Sequence, residues 1–188
     1  DVIGKLGNRF SQTTVKKRLP LYLRLAVLVL LVLALMRLQY GYVADTSNRN
    51  GVDIMVALDV STSMNAEDFK PDRITVAKNV LKNFIDGRPQ DRIGLVIFSG
   101  KSYLQSPLTT DHNTVLNYLE QIHTGMIEDG TAIGMALATC VNRLKDSEAK
   151  TKIILLLTDG ENNAGQIDPE TAAKMAQALG IKIYSVGI

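Results

Sequence analysis

The chain has no tryptophan, one cysteine and two histidines among its 188 residues, and each shortage closes off a class of function. With Cys140 alone there is no intrachain disulfide to form. Cys140 lies in the amphipathic run MALATCVNRL, where a small buried hydrophobe is expected rather than a reactive thiol. His112 and His123 flank one stretch and have no Asp or Cys spaced around them as a zinc site or a nucleophilic triad requires. There is no G-x-S-x-G elbow and no G-x-x-x-x-G-K-[ST] loop, since FSGKS at Phe98–Ser102 lacks the first glycine. Nucleophile-elbow hydrolase and phosphate-loop ATPase chemistry therefore have no residues to rest on.

Aromatic residues make up 5% of the chain against 46% for all hydrophobic ones, so any core is built from Leu, Ile, Val, Ala and Met. That composition favours aliphatic parallel strands. The net charge of +2 hides a segregation: residues 1–50 hold eight Lys or Arg against two Asp, and the remainder holds thirteen basic and seventeen acidic residues. A basic leader before a mildly acidic body excludes a nucleic-acid reader, whose globular part would itself carry the basic patch.

Four segments are expected: a basic stretch over 1–18, a transmembrane helix over 19–40, a linker over 41–51 and an α/β domain over 52–188. Leu25 to Met36 is uninterrupted apolar sequence with arginines at both ends. Twenty residues of helix cover about 30 Å, the thickness of a bilayer's hydrocarbon layer, with Arg24 and Arg37 reaching outward. A buried helix of a soluble core is the alternative, but such helices usually keep a polar face. Lysines and arginines are concentrated before the span, which puts the N-terminal side in the cytoplasm and the domain on the opposite side. In a bacterium this is the inner membrane with a periplasmic domain. A start at Asp1 and a finish in the strand-like run IKIYSVGI suggest a piece of a longer protein.

Beyond Gly51 the pattern alternates. VDIMVAL, RIGLVIFS, KIILLLT and IKIYSVGI are apolar strand runs, and KSYLQ after Gly100 is expected to turn back as an antiparallel edge. Between them lie helical stretches: one starting at Pro71 with Ile74, Ala77, Leu81 and Phe84 on its apolar stripe, one capped by Asp111, one carrying Ile133, Leu137, Cys140, Val141 and Leu144, and one capped by Asp168 with Pro169 first. Strands alternating with helices at this rhythm predict a doubly wound, mostly parallel sheet with one antiparallel edge strand.

In such a sheet ligands bind beyond the carboxyl ends of the strands. DVSTS follows the first strand run and gives Asp59, Ser61 and Ser63; DGENN follows KIILLLT and is led by Asp159; DGTAIG opens a helix and offers Thr131. Two carboxylates and three hydroxyls, with no imidazole or thiolate, suit Mg²⁺, Mn²⁺ or Ca²⁺ rather than zinc or copper. Serines two apart in an extended loop face the same way, so Asp59, Ser61 and Ser63 can address one ion. A shell of mostly neutral hydroxyls leaves that ion attractive to a further anionic ligand, such as a partner's Glu or Asp. Glu161, Asn162 and Asn163 are expected to be a solvated loop, and Glu128 and Asp129 surface charges.

The D-x-S-x-S triplet with the distant Thr131 and Asp159 resembles the metal-ion-dependent adhesion site of von Willebrand factor A domains. The resemblance runs from about Gly51 to Ile188 and implies Mg²⁺ bound by Ser61, Ser63 and Thr131, with Asp59 and Asp159 holding it directly or through water. GVDIMVALDVSTSM, AEDFKPDR, GMIEDGTAIGMALATCVNRLKDS and LLTDGENN resemble, more narrowly, the bacterial aerotolerance (Bat) family, nearest its BatA branch. That resemblance implies a membrane-anchored, non-enzymatic protein-binding module with other Bat proteins and a MoxR-type AAA+ ATPase as partners. It also implies a further helix, strand and helix and a second membrane span beyond this sequence. Two other readings stay open. Haloacid dehalogenase-type phosphatases also place Mg²⁺ between Asp residues after two strands, but need an Asp as general acid where Ser61 stands. A cation with a purely structural role is the other.

Overall fold

The computed structural model describes residues 19–31 and 51–187. Residues 19–31 form a helix, α1, about 20 Å long at the usual rise. Among the described residues no helix is long and apolar enough to cross a membrane. The 32–40 half of the expected span, the 1–18 stretch and residues 41–50 of the linker lie outside the described residues. Helix α1 and the strands and helices beyond residue 51 belong to separate units of the chain.

In the second unit, five strands form one sheet: β1 (Asp53–Asp59), β2 (Arg92–Phe98), β3 (Ser102–Thr109), β4 (Lys152–Thr158) and β5 (Ile181–Gly187). Their order is β3-β2-β1-β4-β5, with β2, β1, β4 and β5 parallel and β3 antiparallel on β2. β1 is buried along its whole length because it lies at the centre of the sheet with helices on both faces. Its alternate residues serve two cores. Ile54, Val56 and Leu58 pack against α2 (Arg73–Asp86) and α3 (His112–Gln121), while Met55 and Ala57 pack against α4 (Ile133–Leu144) and α5 (Pro169–Ala178). Side chains of period two feeding two layers are why the run is apolar throughout instead of alternating. The mostly parallel, doubly wound architecture expected from the sequence is therefore present, with its antiparallel edge.

Three helices start on the same device. Asp72, Asp111 and Asp168 each accept a hydrogen bond from the backbone N–H of the threonine three residues on, at 2.7, 3.2 and 2.9 Å. An N-cap carboxylate satisfies an N–H that has no partner inside the helix and sits at the positive end of its dipole. α2 differs from the expected start: Asp72 is its cap and Pro71 lies outside, after a cis peptide bond from Lys70. Its apolar stripe continues from Leu81 to fully buried Ile85, leaving Phe84 partly buried under the Arg88 guanidinium, 4.2 Å from the ring centre. Cys140 is fully enclosed, and burial pushes its thiol up to about 12, so it packs as a hydrophobe.

α4 has no capping side chain of its own, since Ala132 precedes it. Asn162, from the loop after β4, accepts instead from Gly134 N–H at 3.3 Å. Gly134 is where that loop and the helix touch, because a Cβ placed there would lie 2.0 Å from the Ile167 carbonyl oxygen. Backbone cannot yield as a side-chain tip can. Gly134→Ala is expected to lower stability by about 3 kcal/mol, as other changes that force backbone apart do, read from the urea midpoint; an unchanged midpoint would show that the contact has slack.

Candidate metal centre

The topology leaves one crevice. From β1 the chain winds outward through β2 to β3 and then returns to the other side of β1 as β4, so connections diverge between β1 and β4. At such a switch point the carboxyl ends of the strands open a cleft. Leu58 of β1 pairs with Leu157 of β4, so Asp59 and Thr158 finish their strands side by side and Asp159 follows.

Asp59 is 0% exposed. Its Oδ1 accepts from Ser61 N–H at 2.9 Å and its Oδ2 from the Thr158 hydroxyl at 2.7 Å. Burial raises its pKa, against the lowering effect of the Ser61 and Thr158 hydrogen bonds and with a small further rise from the charge of Asp159. The Ser61 and Ser63 hydroxyls lie 3.0 Å apart, and Ser63 Oγ donates to Asp159 Oδ1 at 2.9 Å. The Asp159 side chain is 1% exposed, and its Oδ2 accepts from Arg73 Nη1 at 2.5 Å. Thr131 is also buried, and its Oγ1 lies 3.4 Å from where a Cβ would stand on Gly160, the neighbour of Asp159. All five residues singled out by the sequence are therefore at one end of the sheet: Asp59, Ser61, Ser63 and Asp159 in a hydrogen-bonded chain, and Thr131 against the loop that carries Asp159.

Three loops supply these residues, and each is tied to the others. Asp129 accepts from Thr62 N–H at 3.1 Å and from the Thr62 hydroxyl at 2.9 Å, joining the Thr131 loop to the Ser61–Ser63 loop. Those bonds hold the Asp129 carboxyl below its ordinary pKa. Asn163 Oδ1 accepts from Thr131 N–H at 2.8 Å, while Asn163 N–H donates to the Thr131 carbonyl at 3.1 Å. The end of β2 clamps the same segment: Ala132 N–H donates to Ser99 O at 2.7 Å and Ser99 Oγ to Gly130 O at 2.9 Å. Asp129, Asn162 and Asn163 are exposed, as their polarity suggests, and they also fasten the loops of the site to one another. Glu128 keeps its expected place at the surface, paired with Lys101 at 2.9 Å.

Among the described residues no group of three or more His, Cys, Asp or Glu side chains is placed to hold a metal ion. The donor set is two carboxylates and three hydroxyls, and this fits a hard divalent cation, which takes neutral oxygen ligands beside anionic ones. The pair of buried carboxylates fits it as well. Asp59 and Asp159 repel each other in a region with little water, and only one of them is met by a protein cation.

The family model for the von Willebrand factor type A domain matches residues 53–188. An uncharacterized protein of Borreliella burgdorferi is 37% identical over 73% of the chain, and a UPF0353 protein of Mycolicibacterium paratuberculosis is 31% identical over 90%. The chain spans 41% and 54% of the lengths of these relatives. Among solved structures, an aerotolerance-related membrane protein from Bacteroides fragilis is 36% identical, with a TM-score of 0.68 over 73% of this chain and 67% of that one. BatB from Bacteroides thetaiotaomicron is 33% identical, with a TM-score of 0.65 over 73% and 66%. Proximal thread matrix protein 1 of the mussel byssus, solved with zinc in its metal-ion-dependent adhesion site, is 26% identical, with a TM-score of 0.65 over 73% and 35%.

A raised carboxyl pKa has a definite sign. Above the unfolded-state value of 3.8 the folded protein keeps a proton on Asp59 that the unfolded chain releases, so stability from this group falls as pH rises through the folded value. At pH 7 burying the Asp59 carboxyl costs stability that a neutral amide in its place does not. Asp59→Asn is expected to raise the melting temperature of the cation-free protein at pH 7, with the gain shrinking toward pH 4. A melting temperature lower than wild type at pH 7 would mean that the carboxylate is fully compensated by its hydrogen bonds.

Proposed function

Because the chain belongs to the von Willebrand factor type A domain family, we propose that it is a divalent-cation-dependent protein-binding module, not an enzyme, in which a partner's Glu or Asp carboxylate is captured at the head of the sheet. Ser61, Ser63 and Thr131 would hold Mg²⁺ together with Asp59 and Asp159. When bound, the cation supplies a concentrated positive charge to which a carboxylate is drawn. The protein's part is to keep the donor oxygens together before the partner arrives. It does so through the Thr62–Asp129, Ser63–Asp159 and Thr131–Asn163 bonds.

The observation that carries this reading is the hydroxyl-rich chain Ser61–Ser63–Asp159 beside buried Asp59. A hydrolytic site would need a general acid or base there, and Ser61, at the second position after Asp59, is neither at neutral pH. The Ser61 hydroxyl instead suits a neutral ligand. That leaves the ion with charge to spare.

The apolar run Leu25 to Met36 and the basic residues before it support a membrane anchor in the bacterial inner membrane with the domain in the periplasm. The likeness to an aerotolerance-related membrane protein and to BatB supports a role in an aerotolerance or envelope complex; other Bat proteins and a MoxR-type ATPase are the partners we propose for it. Crosslinked pull-down of the full chain tests the reading. Wild type is expected to capture its partner with Mg²⁺ and not with EDTA, and Asp59→Ala or Ser61→Ala to lose that capture by tenfold or more, roughly the effect of deleting a charge-assisted contact. Capture that survives both substitutions and EDTA would place the binding surface elsewhere.

A further inference from the structure

Arg73 is the first residue of α2 and connects the metal centre to the surface. One edge of its guanidinium lies on Asp68, with Nε donating to Oδ1 at 2.8 Å and Nη2 to Oδ2 at 2.6 Å. The other edge reaches Asp159 Oδ2 at 2.5 Å. The two carboxylates differ in setting: the Asp68 side chain is 47% exposed and that of Asp159 is 1% exposed. Among the described residues, Arg73 is the one cationic side chain in ion-pair contact with any of the five proposed donors.

We propose that Arg73 is a built-in competitor for the metal centre: its guanidinium neutralises Asp159 while the cation is away, and it yields Asp159 but keeps Asp68 when the cation binds. Three observations support this. Both oxygens of Asp159 are engaged, one by the Ser63 hydroxyl and one by Arg73, so an incoming cation meets a carboxylate that is already paired. Two cations on one buried carboxylate repel strongly, because little water screens them. Asp68 grips the arm through a planar two-point fork, the geometry that lets a guanidinium stay anchored after it loses its third contact. Asp68 and its neighbour Phe69, 48% exposed, lie in the loop leading to α2, so a change in the grip on Asp68 is passed to the protein's surface.

This inference rests on the cation-site reading above, and the test separates the two. Mn²⁺ is titrated into the full chain while free Mn²⁺ is followed by its electron paramagnetic resonance signal. Arg73→Gln is expected to bind Mn²⁺ roughly tenfold or more tightly than wild type, because a nearby positive charge is gone. Arg73→Lys, which keeps the charge but loses the two-point grip on Asp68, is expected to stay nearer to wild type than to Arg73→Gln. Asp68→Asn is expected to bind more weakly, since the arm then has only Asp159 to hold, and that weakening should vanish in the Arg73→Gln background. A purely structural Arg73 gives the opposite sign, because loosening the loops weakens binding in Arg73→Gln. Wild type that binds Mn²⁺ while Arg73→Gln binds equally or less tightly overturns the proposal and leaves the cation site standing. If neither protein binds Mn²⁺, the cation site itself fails and the proposal with it.

Discussion

The arrangement turns on one carboxylate held where carboxylates are expensive to hold. Asp59 ends the strand at the centre of the sheet, so its position is dictated by the packing of two cores and not by the needs of a charge. A buried ionised group without partners would be intolerable, and the folded chain supplies two at once: the Ser61 amide and the Thr158 hydroxyl. Those partners shape everything around them. The amide bond curls the chain after β1 so that Ser61 and Ser63 come together, and the hydroxyl bond locks β4 beside β1 at the level where Asp159 emerges.

From there the loops constrain one another. Thr62 grips Asp129, Asn163 grips Thr131, and Ser63 grips Asp159, so each loop is fixed by side chains from the other two. Asn162 adds a tie to the first turn of α4, and Gly134 allows that tie by having no side chain. A helix start, a strand end and a turn therefore behave as one piece at the head of the sheet. The donor oxygens are preorganised by bonds that do not involve a cation.

Much of this was legible in the sequence because local pattern and tertiary position agreed. VDIMVAL, RIGLVIFS and KIILLLT are continuous apolar runs, and β1, β2 and β4 are sheet strands fed from both faces. Asp111 and Asp168 announced their helices because capping is a contact across three residues. β3 was harder. It runs on through Pro107 to Thr109, and proline is a strand breaker except at an edge, where no neighbour asks for its N–H. The D-x-S-x-S triplet is weak by itself, and it pointed to the cleft only together with Thr131 and Asp159 at the heads of neighbouring elements. Asp129 and Arg73 gave no such sign, for their partners lie 67 and 86 residues away and a charged residue in a loop or on a first helical turn looks ordinary.

The hydroxyl pair Ser61–Ser63 has one further consequence. A serine oxygen lends lone pairs to a metal, but it also owns a hydrogen, and a carboxylate in its place would not. Ser63 gives its hydrogen to Asp159, and among the described residues every buried side-chain polar atom has a partner. The loops thus have a bonding scheme of their own, and filling the cleft exchanges existing bonds for new ones instead of rescuing a broken network. A domain built this way can complete its fold on its own bonds before anything enters the cleft.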